Sequence, residues 1–316
     1  MAQKRDRIAA NAAPSARVQP RRQRRPLLVA LPVVAAALAA VLAVAVRSAD
    51  RDRGAGGGLA AIGGDDPGVA HVHGLGVDPA DGVLYAATHY GLFRIPASGE
   101  PQRVANRYQD TMGFTVVGPR HFLGSGHPDL REKDLPPRLG LIESTDAGQT
   151  WQKLSLLGKA DFHALHTVDG VVYGYDSGGR FMVSADKTTW ETRSTVPMRD
   201  FAVSPADANT IVATTEAGLQ RSTDGGRSFT PVAPPAPRLV VLAWPDGARL
   251  FGLTDDGAVV ASADSGATWT PRGRVAGTPE AFVANASELL AATNTGIYSS
   301  ADDGATWTLR FKDASQ

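Results

Sequence analysis

A short motif recurs along the chain at an almost constant spacing, and this spacing constrains the fold more than any other feature of the sequence. The motif reads Ser-x-Asp-x-Gly-x-Thr-Trp, and one copy has Ser and Phe at its last two positions. Full copies begin at Ser144, Ser222, Ser262 and Ser300, and a copy one residue shorter begins at Ser184. In chain order these serines are 40, 38, 40 and 38 residues apart. Such a period is typical of architectures in which each repeat is one supersecondary unit.

Each copy of the motif has the chemistry of a tight β-turn. An Asp carboxylate accepts backbone N–H groups inside a turn, and Gly adopts a positive φ without steric cost. The terminal aromatic residue, which is Trp in four of the five copies, is suited to filling the space between neighbouring sheets. Turn chemistry explains the motif aspartates, so we expect a structural role for Asp146, Asp186, Asp224, Asp264 and Asp302.

The motif resembles the Asp box of the BNR-repeat β-propellers, which share the sialidase fold and are often labelled glycosyl hydrolases. Apolar strands and turns precede the motif in each period, and the same pattern occurs at 74–95 without a recognisable Asp box. The 34 Gly and 21 Pro residues also favour a turn-rich, all-β chain. Four strands per period predict an all-β, six-bladed β-propeller over 69–316. Its six units, of about 41 residues each, are 69–109, 110–159, 160–198, 199–237, 238–277 and 278–316.

The residues before the repeats have a different composition. A basic arm at 1–26 precedes 20 uncharged residues at 27–46, which are rich in Leu, Val and Ala. A helix of that length spans a bilayer, and the arginines before it hold the N-terminus in the cytoplasm. We therefore expect a single-pass transmembrane helix in the cell membrane, a flexible tether at 47–68 and an extracytoplasmic propeller. Cleavage of a signal peptide after 43–45 is the alternative, although its apolar region would be unusually long.

Charge is divided unevenly between the N-terminal arm and the propeller. Residues 1–53 hold 11 of the 32 basic residues and 3 of the 32 acidic ones, which leaves 21 basic and 29 acidic residues in the rest of the chain. An acidic propeller is a poor partner for nucleic acid. The expected partners are the membrane, through the N-terminal helix, and an extracellular glycan or protein for the propeller. The absence of Cys excludes disulfides, thiolate metal ligands and a Cys nucleophile.

Polar residues cluster where the innermost strands begin, at the propeller face that we call the top. Blade alignment gives the following residues at these strand starts: His71, Asp110, Asp161, Arg199 and Glu280. Several histidines align nearby, and neutral imidazoles are good ligands for zinc or copper. The expected metal ligands are His71, His73, His89, His127 and His163. Two further histidines align near the opposite strand ends and receive no function: His121 and His166. Solvated rim charges and satisfied inter-blade histidines are the alternative interpretation.

Glycoside hydrolysis is the alternative function that the resemblance raises. If the chain were a sialidase, the resemblance would imply a cluster of arginines that binds the substrate carboxylate. Arg94 looks like part of such a cluster, but it aligns to the third strand of its blade, away from the channel. Sialidase activity is therefore not favoured. Other glycosidases need two carboxylates at a suitable separation, and Asp110 with Asp161 is the candidate catalytic pair. The further candidate ligand-binding residues are Asp129, Asp176, Arg199, Glu280 and Tyr90. A non-catalytic assembly scaffold is a third possibility, because similar propellers include photosystem-assembly factors and sortilin-type receptors.

Overall fold

The computed structural model describes residues 66–233 and 236–312. The predicted basic arm, the predicted transmembrane segment and residues 47–65 of the predicted tether lie outside these ranges. Within the described ranges, no helix is both long enough and apolar enough to cross a membrane. The described chain consists of strands, turns and a short 3-10 helix at Val104–Asn106.

The described residues form six antiparallel sheets of four strands each, and each sheet uses consecutive strands. The predicted six-bladed propeller is therefore confirmed. The first blade comprises β1 (Val72–Val77), β2 (Leu84–Thr88), β3 (Gly91–Ile95) and β4 (Gln102–Arg103). The second blade comprises β5 (Asp110–Gly118), β6 (His121–His127), β7 (Leu141–Ser144) and β8 (Gln152–Ser155). The third blade comprises β9 (Phe162–Val168), β10 (Val171–Asp176), β11 (Phe181–Ser184) and β12 (Glu191–Ser194).

The remaining three blades complete a closed ring. The fourth blade comprises β13 (Asp200–Val203), β14 (Ile211–Thr215), β15 (Gly218–Ser222) and β16 (Thr230–Pro231). The fifth comprises β17 (Leu239–Asp246), β18 (Arg249–Thr254), β19 (Ala258–Ser262) and β20 (Thr270–Arg274). The sixth comprises β21 (Pro279–Ala284), β22 (Leu289–Thr293), β23 (Gly296–Ser300) and β24 (Thr308–Lys312). The first strand of each blade packs against the first strand of the next, and β21 packs against β1. First strands therefore line the central channel.

Apolar side chains fill the boundaries between neighbouring blades. Between the third and fourth blades, Phe181 and Phe201 are fully buried and meet edge to face with ring centroids 5.0 Å apart. Burying a side chain of this size contributes about 1.5–3 kcal/mol, so these boundaries hold the blades together. The motif aromatics pack where predicted, between their own blade and the preceding one: Trp151, Trp190, Phe229, Trp269 and Trp307.

The turn that begins at Ser262 illustrates the bonding inside the repeated motif. The Ser262 hydroxyl donates to Asp264 Oδ1 at 2.8 Å and accepts the N–H of Gly266 at 2.9 Å. The Asp264 carboxylate accepts the N–H of Thr268 at 2.8 Å and its hydroxyl at 2.6 Å. The copies at Ser144, Ser222 and Ser300 contain the same bonds. In the shorter copy, Asp186 accepts the N–H groups of Thr188 and Thr189. The motif aspartates thus have the turn contacts expected of structural residues.

Candidate metal centre

Four side chains from two blades meet at the top of the propeller, and we call them the first cluster: His71, His73, His89 and Asp110. His71 directly precedes β1, His73 lies within it, His89 follows β2 and Asp110 begins β5. His71 has a φ of 52°, a left-handed conformation that His tolerates better than most residues. This turn brings the chain to the start of β1 with the His71 ring beside the other two histidines.

A β-bulge aims His73 into the channel. Because β1 pairs Val72 with Thr88 and Gly74 with Ala87, His73 has no partner residue on β2. A bulge of this kind re-aims a side chain that would otherwise follow the alternation of the strand. First strands of other blades contain the same irregularity, and it places these residues in the channel wall: Met112, His163, Val240 and Glu280. Blade alignment had grouped Glu280 with His71, but the structure makes it equivalent to His73.

Three donor atoms of the first cluster are mutually close. His73 Nε2 lies 3.2 Å from His89 Nδ1, and Asp110 Oδ1 lies 3.0 Å from His89 Nδ1 and 3.4 Å from His73 Nε2. A zinc ion bound at about 2.0–2.2 Å by tetrahedral ligands holds them roughly 3.3–3.5 Å apart. One nitrogen from each histidine, His71 included, also lies within 4.8 Å of the other two. The first cluster therefore has the donor types and spacing of a transition-metal site.

Burial and charge prepare these groups for a cation. Burial lowers the pKa of His73 to about 4, which keeps its imidazole neutral at neutral pH. Burial also disfavours the ionised form of Asp110, but its contacts with His73 and His89 outweigh burial and hold the pKa of this carboxyl well below its usual range. Asp110 Oδ1 is nevertheless buried without a well-directed hydrogen bond among the described residues. An ionised oxygen left in this state is costly unless a cation approaches it.

His71 connects the first cluster to the sixth blade. Its Nδ1 lies 3.3 Å from Glu280 Oε1, and this contact raises the pKa of His71. The other Glu280 oxygen accepts the N–H of Val72 at 2.9 Å, so Glu280 also joins β21 to β1. The His71 side chain is 55% exposed, which leaves the first cluster open to solvent from the top.

Three more predicted residues form a second cluster: His127, His163 and Asp161. Asp161 Oδ2 lies 3.0 Å from His163 Nε2 and 3.6 Å from His127 Nε2. Burial disfavours ionised Asp161, but the hydrogen bond from His163 and the nearby His127 outweigh burial and lower the pKa of this carboxyl. The five histidines expected to form one site are thus divided between two neighbouring clusters, each with its own carboxylate.

Two predicted ligand-binding carboxylates instead anchor their own loops. Asp129 is buried, and its carboxylate accepts hydrogen bonds from the side chain and backbone N–H of Arg131 and from the backbone N–H of Tyr108. These bonds outweigh its burial and lower its pKa to about 2. Asp176 is also buried and is bonded by the side chain and N–H of Arg180. The sequence signal for this role is an arginine two or four residues later in the chain. The prediction that these carboxylates contact a ligand did not take these arginines into account.

The channel itself is a cavity of about 480 Å³ lined by residues of all six blades. Arg199 lines it as expected, while Tyr90 lies beside the first cluster with its ring centroid 6.3 Å from that of His89. Two channel residues were missed by the sequence analysis. His166, which received no function, faces Asp200 at 3.8 Å, and Asp200 also accepts the N–H of Leu242 at 2.7 Å. The sequence alignment placed the start of the first strand of the fourth blade at Arg199, one residue before Asp200, where β13 begins.

Comparison with known sequences identifies one stretch of similarity. No family model matches the chain. Over 111 residues it is 35% identical to a xyloglucanase from Hypocrea jecorina (strain QM6a), a stretch that covers 31% of this chain and 13% of that protein. The chain thus spans a small part of this curated relative.

Comparison with solved structures identifies propellers of diverse activities. The GH74 enzyme of Niastella koreensis superposes with a TM-score of 0.55 at 16% identity, covering 78% of this chain and 46% of the enzyme. A gluconolactonase from Xanthomonas campestris superposes with a TM-score of 0.57 at 12% identity, covering 72% of this chain and 84% of that protein. Similarity at this level of identity establishes a shared fold, and the fold resembles that of glycoside hydrolase propellers. Function must be argued from the site.

Proposed function

We propose that this chain is a membrane-anchored, extracytoplasmic propeller of the Asp-box type that binds a transition-metal ion at its top face. The first cluster holds the ion, with His73, His89 and Asp110 as ligands and His71 beside them, paired with Glu280. The observation that carries the proposal is the mutual approach of three donor atoms to 3.0–3.4 Å. Zinc suits this mixture of imidazole and carboxylate, and copper is the main competitor because its affinity for such donors is higher.

Because the first cluster is open to solvent, an ion bound there could contact an extracellular ligand as well as stabilise the propeller. His73 is nearly buried, whereas His71 is open to solvent and both residues line the channel. An ion held by the three inner donors would keep a coordination position for water or for an oxygen atom of an extracellular ligand, as open zinc sites do. The channel wall also offers the guanidinium of Arg199, which forms no ion pair with any described residue, as a contact for an anionic group.

Metal titration of the purified propeller tests the proposal. The apo protein, freed of metal by chelation, should bind zinc, and His73→Ala or Asp110→Asn should each weaken that binding by more than about 100-fold, since even outer-shell changes cost 10–100-fold. His121→Ala is the matched control, because His121 pairs with Glu143 at 2.7 Å and belongs to neither cluster. Equal zinc affinity in the control and in His73→Ala would refute the proposal.

Glycoside hydrolysis is the second candidate function, and the 35% identity to a xyloglucanase over 111 residues favours it. Asp110 and Asp161 would be the carboxylate pair. Their lowered pKa values argue against either one as the general acid, which must be protonated at the working pH. Aryl glycosides and xyloglucan offered with and without a chelator separate the two functions. Hydrolysis that survives chelation and is abolished by Asp161→Asn would favour the glycosidase, and no response to sugar or metal would favour a protein-binding scaffold.

A further inference from the structure

We infer that the second cluster is a second metal position, one blade away from the first, which extends and rests on the proposed metal function. Its ligands are Asp161, His127 and His163. Each cluster consists of a carboxylate oxygen with two imidazole nitrogens beside it, at 3.0 and 3.4 Å in the first and at 3.0 and 3.6 Å in the second. The ion expected there is the same divalent transition metal.

The hydrogen bonding of His127 turns a lone pair towards Asp161. His127 Nδ1 lies 2.6 Å from the carbonyl oxygen of Pro137, which accepts hydrogen bonds only, so Nδ1 carries the proton of the neutral ring. The Nε2 lone pair then faces Asp161 Oδ2 at 3.6 Å. A metal ion between these two atoms would take the place of the Nε2 proton that otherwise pairs the ring with Asp161. Fixing one ring nitrogen by a backbone carbonyl is how metal-binding histidines are oriented.

Asp161 provides a second, independent indication of a cation site. Its side chain is only 4% exposed, and its Oδ1 has no well-directed hydrogen bond in the described part of the chain, although Ser177 lies near enough to help lower the pKa of this carboxyl. Buried carboxylates are normally satisfied by several donors or by a metal. A metal that Asp161 binds through both oxygens, or through one while water reaches the other, removes this cost.

The rotational repeat of the propeller explains why a second position arises. Asp110 and Asp161 stand at equivalent strand starts, and His89 and His127 stand at equivalent ends of the second strands of their blades. The residue equivalent to His73 in the second blade is Met112, which is a poor ligand for zinc. His163 occupies the bulge position of the third blade and supplies the missing imidazole from the other side of Asp161.

The two positions adjoin through the second blade. Asp110 of the first cluster and His127 of the second are directly opposite each other in the pairing of β5 with β6. Residues in this relation have Cβ atoms about 4.5–5.5 Å apart. The neighbouring Gly126 makes this approach possible, since its φ is 135° and a Cβ there would lie 2.2 Å from the Asp110 carbonyl oxygen. Cations held on adjoining blades repel each other, so we expect the second to bind about tenfold more weakly.

Stoichiometric titration with Co²⁺ and Zn²⁺ tests the second position separately from the first. The wild-type propeller should bind two equivalents, measured by equilibrium dialysis with elemental analysis and by the Co²⁺ absorption spectrum. His127→Ala and Asp161→Asn should each bind one tight equivalent, whereas His73→Ala should lose the tight equivalent and keep the weak one. His121→Ala serves as the control and should bind two.

Each outcome decides between the two metal positions. One equivalent in the wild type that His127→Ala leaves unchanged overturns the second position and leaves the first intact. No bound metal in any variant overturns both. Should Asp161→Asn unfold, as judged by circular dichroism, the His127→Ala result stands alone, because that side chain is 41% exposed and its removal leaves no cavity in the core.

Discussion

Replacing Asp264 with Ala tests whether the repeated motif is structural, and the expected loss of stability can be worked out from its contacts. The Asp264 carboxylate accepts three hydrogen bonds: from the Ser262 hydroxyl at 2.8 Å, the Thr268 N–H at 2.8 Å and the Thr268 hydroxyl at 2.6 Å. A hydrogen bond to a charged group contributes about 1.5–3 kcal/mol when buried, but this turn is exposed and water replaces part of each bond. We therefore expect a loss of about 1–2 kcal/mol, or roughly 2–8 °C in melting temperature.

Urea denaturation followed by circular dichroism measures this loss, with Asp255→Ala as the matched control. Asp255 is an exposed aspartate of the same blade with no side-chain hydrogen bond among the described residues, so its removal should change stability by less than about 0.5 kcal/mol. Zinc binding should be the same in both variants, because the motif turns lie on the face opposite the first cluster. Equal stability of the two variants, or loss of zinc binding in a fully folded Asp264→Ala protein, would refute the reasoning.

Three further measurements follow from the structure. The bonds inside the motif turns hold the pKa values of Asp264 and Asp302 at about 2, below the unfolded value near 3.9. The stabilisation from these carboxylates is therefore present above pH 4 and is lost as the pH falls towards 2. The melting temperature should fall over this pH range, and it should fall less steeply in Asp302→Asn. Arg180→Ala leaves the buried Asp176 carboxylate without its counter-ion and should cost about 2–4 kcal/mol in urea denaturation, with a cost below 1 kcal/mol contradicting the pair. Full-length protein should resist carbonate extraction from membranes, and release of a form beginning near Val46 would indicate a cleaved signal peptide instead.

The sequence was sufficient to predict the blades because one physical signal recurs in them. Each copy of the motif combines a turn, a strand and an aromatic residue, and five copies at a nearly constant period leave a propeller as the arrangement that buries every sheet. The first blade lacks the motif, yet the strand–turn–strand pattern at 74–95 identified it. Trp151 and Phe229 pack between blades as expected, since the aromatic position lies next to the turn in every copy.

The site was only partly predictable, because its geometry depends on β-bulges. A bulge adds one residue to a strand and shifts every later side chain, and no residue type announces it in the sequence. The sequence alignment grouped Glu280 with His71 although both β1 and β21 contain the bulge, and in β13, which has no bulge, it stopped one residue before Asp200. The pairing of Asp176 with Arg180 was also missed, although it required only a search for arginines close by in the sequence. Which histidines share a carboxylate follows from three-dimensional contacts alone.

Anomalous X-ray diffraction from zinc-soaked crystals, recorded on both sides of the zinc absorption edge, tests the central claim most directly. We predict a strong peak bonded to His73 Nε2, His89 Nδ1 and Asp110 Oδ1 at about 2.0–2.2 Å, with a weaker peak beside Asp161. A crystal of the folded protein that shows zinc elsewhere, or no zinc among these three atoms while their side chains hydrogen-bond to one another or to water, would contradict it.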